Sequence, residues 1–271
     1  MIFLDSELAR RLEIASHPAM PEQGTETDNG LGKVELGIGG GVAVFAGVDS
    51  PMTLAVGLGL HGEMGSTEMD RLEDFFHSRG SAVVVELCPL ADASLLGAFG
   101  ERGYRIVEFS NVLIRALAPS DMLAPEVTGI EVRPIVESER SVFVETLAQG
   151  WAEFHAVTDE MVAMTESFSC GEGKVMYLAL ADGKPAGAGT LLLSRGVAGL
   201  YGSSTMPEFR KRGIQTALIA RRMADARATG CDIAMAVTLP GSGSQRNFER
   251  HGFRVVYTRT KLMLPAPVGA E

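Results

Sequence analysis

Residues 203–230, SSTMPEFRKRGIQTALIARRMADARATG, decide how the rest of the chain is read. An apolar run at 197–201 leads into small polar residues, Pro207 marks a turn, and Arg210, Lys211 and Arg212 crowd against Gly213. A long amphipathic helix is predicted to follow. Its apolar residues Ile214, Ala217, Leu218 and Ala224 point inward, and Arg221, Arg222, Asp225 and Arg227 are expected outward. Backbone amides at a helix start, approached closely past a glycine, suit a phosphate or pyrophosphate. The order strand, basic glycine loop, helix, strand therefore predicts a phosphorylated small-molecule ligand.

Composition narrows the partners. With 271 residues, 46% of them hydrophobic, the chain can bury a core in one large or two smaller domains. A formal net charge of −10 argues against nucleic acid, whose backbone attracts a basic surface. The cluster at 210–212 is a local exception in an acidic chain, which favours a small anion. Cys88, Cys170 and Cys231 are widely separated and fit no metal spacing, so neither a bound metal nor a disulfide framework is expected. The first residues turn acidic too soon for a secretory signal, and no apolar run reaches membrane-spanning length. The expectation is a cytoplasmic protein with no membrane partner.

Before the organising stretch, residues 1–16 read as a helix with Leu4, Leu8, Leu12 and Ile14 near one face. Strand-like runs follow at 32–36, 41–45 and 52–60. Thr67 is the expected cap of a helix ending at Gly80. The nearly continuous apolar run 82–87 reads as a buried strand. A helix at 91–101 stops at Gly103 before a strand or hairpin at 104–117. Beyond the proline-bearing segment 118–128, the predicted order is strand, helix, a second helical or irregular stretch, three strands, helix, strand, helix, strand.

The chain also repeats itself. FGERGYRIV at 99–107 mirrors FERHGFRVV at 248–256, and the helix ending at Gly80 mirrors the one ending at Gly230. Both pairs share an offset of about 150 positions, as two copies of one domain would. The copies differ where an anion would bind. The first carries His61, Glu63 and Ser66 with no basic cluster, and Glu63 would repel a phosphate.

The loop Arg210-Lys211-Arg212-Gly213-Ile214-Gln215 resembles the acyl-CoA loop of the GNAT superfamily of N-acetyltransferases, whose pattern is Arg/Gln-x-x-Gly-x-Gly/Ala. Gln215 departs from it, standing where a small residue is usual. Downstream, residues 244–253 resemble the family's last characteristic segment, with Asn247 at a cofactor-contacting position. Phe248 stands where the family has a tyrosine general acid, and a phenyl ring has no proton to give. The resemblance implies an α+β fold, a mostly antiparallel sheet flanked by helices, in two tandem GNAT-like domains. It divides the chain into a degenerate copy at 1–117, a linker at 118–128 and an acyl-CoA-binding domain at 129–271.

The resemblance further implies acetyl-CoA as acyl donor, held by Thr205, Arg210, Lys211, Arg212, Gly213, Ile214, Gln215 and Asn247. Trp151 and Phe154 would line the acceptor pocket, and Glu153 or His155 would take a proton from the amine. For the acid missing at Phe248, the substitutes are Tyr201, Tyr257, Ser244 and Cys231; Tyr201 is carried forward with Glu153 as the catalytic pair. The activity implied is transfer of an acetyl group to a primary amine of a small molecule or peptide. The alternative is a non-catalytic acyl-CoA-binding or sensing protein.

Overall fold

The computed structural model describes residues 2–17, 20–28, 33–122, 127–152, 156–169, 171 and 173–267. The chain divides into two compact units, Met1–Val112 with Val255–Glu271, and Leu113–Arg254. The division cuts within a strand and groups the C-terminal segment with the first unit, whereas the sequence places the boundary at 118–128 and residues 255–271 in the second domain.

The first unit holds α1 (Ser6–Ala15), β1 (Glu26–Asp28), β2 (Val34–Ile38), β3 (Gly41–Phe45), β4 (Leu54–Val56), α2 (Ser66–His77), β5 (Val83–Leu87) and α3 (Ser94–Glu101). Most of β6 (Arg105–Ala116) and of β12 (Arg254–Leu264) belongs to it as well. Its strands run in the order β1-β2-β3-β4-β5-β12-β6. Pairing is antiparallel from β1 to β4 and between β12 and β5, and parallel between β4 and β5. Leu36, Phe75, Phe76, Val85, Leu95 and Leu262 lie in its core.

Three local expectations change here. The third strand is short, because only Leu54–Val56 pairs within the run 52–60. The cap of α2 is Gly65 rather than Thr67, since Glu68 reaches back to the Gly65 amide at 3.1 Å. On α1 the buried residues are Ala9, Leu12, Glu13 and Ala15, so a carboxylate sits on the inward face. Tyr257 Oη donates to Glu13 at 2.5 Å and Arg259 Nε at 2.9 Å, which gives that buried charge its partners.

The second unit begins in β6 and continues with β7 (Ile130–Pro134), α4 (Arg140–Ala152), α5 (Asp159–Ser169), β8 (Lys174–Ala181), β9 (Lys184–Ser194) and β10 (Val197–Thr205). Then come α6 (Ile214–Ala228), β11 (Ile233–Thr238) and α7 (Gly243–Arg250). This is the predicted element order. The strand order is β11-β10-β9-β8-β7, with Leu117 at the end of β6 donating to Asp232 O at 2.8 Å. Asp182-Gly183 and Arg195-Gly196 turn with positive φ at both residues, as tight hairpins require. Side chains alternate across the sheet. Tyr177 and Leu191 face α6, with Leu218, Ile219 and Met223, while neighbouring Leu178 faces α4, with Phe143 and Leu147. The fold is the mostly antiparallel α+β arrangement that the sequence predicted.

Candidate active site

The site begins where two parallel strands part. Val197–Gly199 of β10 pair with Ile233–Met235 of β11, and that ladder stops there. β10 runs on to Thr205, held on its other edge by β9 through a register shift between Tyr201 and Ser204. The opened wedge leads into a cavity of about 550 Å³. Ser203, Ser204 and Thr205 form its strand wall, and Gly150 and Trp151 at the end of α4 close one side. Phe209 to Lys211, Gly213 and the first turn of α6 form the second side; Ser244, Asn247, Phe248 and Arg250 of α7 form the third.

The loop's backbone aims donors at this space. Pro207–Phe209 make a 3-10 turn, Lys211 has φ +62°, and Gly213 caps α6 in the left-handed region at φ +87°. Among the described residues no side chain caps the helix start, and the helical ladder opens with Ala217 N–H donating to Gly213 O at 3.0 Å. The amides of Ile214, Gln215 and Thr216 precede that bond, at the positive end of a fifteen-residue helix. Thr205 Oγ1 on the opposite wall is buried with no hydrogen-bond partner among the described residues, so a ligand would supply one.

Among the residues predicted to hold the cofactor, Thr205, Arg210, Lys211, Gly213, Ile214, Gln215 and Asn247 line this one cavity. Arg210 turns inward, with Nε 3.5 Å from Thr205 O and Nη2 3.4 Å from Gly150 O. Arg212 faces away from the wall, paired with Asp182 at 2.8 Å and lying over the Phe209 ring. The cap of α7 is Ser242, whose Oγ accepts from Gln245 N at 3.1 Å, so Asn247 has no capping duty. Trp151 lines the cavity and its Nε1 donates to Ser203 O at 3.3 Å. Glu153, Phe154 and His155 lie outside the described residues.

The proposed acid substitutes separate. Ser244 is on the cavity wall. Tyr201 is not: a Cβ on Gly199 would lie 2.2 Å from Tyr201 Cε2, so the ring folds back along its own strand. Cys231 is buried at the foot of β11, and Tyr257, in the first unit, is bonded to Glu13. Phe248 is 5% exposed and stacks edge-on to Phe253 at 5.0 Å, so it packs the core while presenting one face to the cavity. Burial pushes the His251 imidazole below its ordinary range, with Arg115 adding to the effect. It is therefore neutral near pH 7 and adds no charge to the helix end.

One expectation fails outright. Arg222, read as an outward charge, is 0% exposed. Its Nε donates to Leu218 O at 3.0 Å, Nη1 to Thr190 O and Tyr201 O at 3.0 and 3.1 Å, and Nη2 to Ser203 Oγ at 2.7 Å. A Cβ on Gly189 would sit 3.0 Å from its Cζ, so the glycine leaves the space the guanidinium fills. Burial lowers its pKa to about 10, which still leaves it charged at neutral pH. Arg221 is also drawn in, bonding Asp225 at 3.0 Å and Val132 O at 2.9 Å. Helical spacing signalled this for Arg222, four residues after the inward Leu218, but its charge had argued the other way.

Comparison with known proteins agrees with this geometry. The sequence model of the acetyltransferase (GNAT) family matches residues 144–253, which take in the wedge, the loop and α7. That segment carries the family's sequence pattern, and the fold around it is shared with GNAT proteins, a tandem one among them. A GCN5-related N-acetyltransferase from Kribbella flavida superposes with a TM-score of 0.66 at 16% identity, covering 98% of each chain. A tandem GNAT protein from the clavulanic acid biosynthesis pathway gives 0.60 at 12% identity, covering 97% of this chain and 95% of the other. A GCN5-related N-acetyltransferase from Sphaerobacter thermophilus gives 0.57 at 17% identity, covering 87% and 78%. At such identities the likeness is one of fold. No curated protein matches the sequence. Among the described residues no helix is long and apolar enough to cross a membrane, and no group of three side chains could hold a metal ion.

Proposed function

We propose that this protein is a GNAT acetyltransferase that transfers an acetyl group from acetyl-CoA to a primary amine of a small molecule or peptide. The observation that carries the reading is the wedge between β10 and β11, bordered by the first turn of α6, whose Gly213 cap offers no side chain to its amides. The amides of Ile214 to Thr216, with Arg210 and Lys211, would take the pyrophosphate. The pantetheine arm would follow the free edge Ser203–Thr205, where Thr205 Oγ1 awaits a partner. The thioester would then lie beside Ser203, Trp151 and Phe248, which line the same cavity. A neutral amine then attacks the thioester carbon, the C–N bond forms, and the C–S bond breaks with its electron pair passing to sulfur. The proton lost by nitrogen leaves through water or a carboxylate; Glu153 is the candidate the sequence supplies.

The first unit would be a GNAT-like copy without a cofactor site. Its equivalent helix start is closed by the Glu68 carboxylate on the Gly65 amide, which puts negative charge where a phosphate would bind.

Phe248 favours a second reading, a protein that binds acyl-CoA without turning it over, because the wall offers no phenol at that position. Calorimetry with CoA and free-thiol release from acetyl-CoA across an amine panel separate the two. Binding with amine-dependent thiol release is the expected result. Binding with no release from any amine supports the second reading, and no binding removes both.

A further inference from the structure

We propose that the Ser203 hydroxyl, backed by the buried Arg222 guanidinium, is the hydrogen-bond donor that receives the sulfur of coenzyme A as the thiolate leaves. The inference rests on the acetyl-transfer reading above and names the group that serves the leaving sulfur in place of a tyrosine.

Three observations meet at Ser203. It lines the cavity that Phe248 and Trp151 also line. Its Oγ accepts from Arg222 Nη2 at 2.7 Å, a charge-assisted bond that occupies one of the hydroxyl's acceptor positions. Among the described residues its own proton has only a marginal partner, Tyr201 O at 3.5 Å, so it can turn to a guest. A hydroxyl that accepts from a cation becomes a stronger donor, because each bond in such a chain polarises the next.

The second half of the device is the charge. Buried guanidinium groups ordinarily stand beside a carboxylate. Arg222 has none among the described residues, and is solvated instead by three backbone carbonyls and Ser203. The nearest acid on its helix, Asp225, is held by Tyr177 and Arg221. A fixed positive charge with no carboxylate partner among the described residues therefore lies against the hydroxyl of a residue that lines the cavity. It gains most when negative charge appears at the far side of that hydroxyl, which is what C–S cleavage produces.

No proton has to move for this to work. A thiol with an ordinary pKa of about 8.5 is an acceptable leaving group as the thiolate. The hydroxyl stabilises the thiolate by donation, and the nitrogen's proton leaves separately. A serine losing its proton outright would be uphill, and the arrangement does not ask for it.

The test titrates the thiol of CoA bound to the intact protein, by the pH dependence of its alkylation, in the wild type and in Ser203→Ala and Ser203→Thr. Arg210, Lys211 and Arg250, the other charged side chains on the wall, are the same in all three. The bound thiol is expected about one pKa unit below free CoA in the wild type and in Ser203→Thr, and close to free CoA in Ser203→Ala. With an amine acceptor, Ser203→Ala is expected to lower kcat about tenfold or more, with a smaller change in KM for acetyl-CoA. A purely structural brace would alter stability and affinity and leave the thiol pKa alone. If Ser203→Ala binds too weakly to titrate, the threonine variant decides: retention of the lowered pKa supports the proposal and its loss overturns it. A thiol pKa equal in wild type and Ser203→Ala overturns the proposal while leaving the cofactor reading intact. Failure of the wild type to bind CoA overturns both.

Discussion

A Cβ on Gly150 would lie 2.2 Å from Ser204 Oγ and 3.1 Å from the Thr205 amide nitrogen, so α4 meets β10 with no room for a methyl group. The serine hydroxyl could rotate away, but its Cβ, 2.4 Å from that position, and the backbone nitrogen could not without moving the strand that walls the cavity. Gly150→Ala is therefore expected to destabilise the protein by about 1–3 kcal/mol and to weaken CoA binding. Urea unfolding and calorimetry check the two effects, and a variant with wild-type stability would show that the strand yields freely. The sequence offered no hint of this residue, because the contact joins positions far apart in the chain. Arg222 was hidden for the same reason. Its room comes from Gly189 and its partners from Thr190, Tyr201 and Ser203, none of them on its own helix. Gly213 was legible because its job is local: φ +87° and a basic neighbourhood can both be inferred from a short stretch.

Elements were the easiest level to read, since helix and strand patterns repeat over a few residues, and the second unit's order emerged as predicted. Their ends were harder, as Gly65 shows, because a cap depends on which side chain reaches back rather than on which residue type is best suited. The connection from β7 to α4 is a further cap of this kind. Glu139 accepts from both Arg133 Nη atoms at 2.7 Å and from the Val136 amide at 3.0 Å. The guanidinium first, and the amide second, hold its carboxyl down at about 2, from an ordinary value of 4.5. A carboxylate depressed in the folded state contributes stability that is present above its unfolded pKa. That contribution is lost as pH falls from about 4.5 through about 2. An NMR titration is expected to find the Glu139 carboxyl near the lower value, and to find it back in the ordinary range in Arg133→Ala. An unshifted Glu139 in the wild type would mean that the fork does not persist in solution.

Across the whole molecule the repeat proved to be structural down to its rings. Phe99 and Tyr104 meet edge-on at 4.7 Å, as Phe248 and Phe253 do at 5.0 Å, and each pair brackets a glycine with φ near +80°. Phe248 thus has a packing counterpart, Phe99, in the first unit. The domain boundary was less legible, because composition marks linkers and says nothing of where a later strand returns. β12 pairs Thr260–Leu264 with Val83–Leu87 of β5, and its Arg259 neutralises Glu13 and Glu86 at 2.9 and 2.8 Å. A chain ending at residue 117 would lose that strand, bury Glu13 without its cation and strip Leu262 from the core. Removing one partner of a buried ion pair alone costs about 3–5 kcal/mol, and a buried leucine adds roughly 2 kcal/mol, against a typical total stability of about 5–15 kcal/mol. Residues 1–117 alone are therefore expected to show no cooperative unfolding transition by circular dichroism. The full-length variant Arg259→Met should fold, with its urea midpoint clearly lowered. A cooperative, native-like 1–117 fragment would place the working boundary in the 118–128 segment after all, and leave β12 an accessory to a domain complete without it.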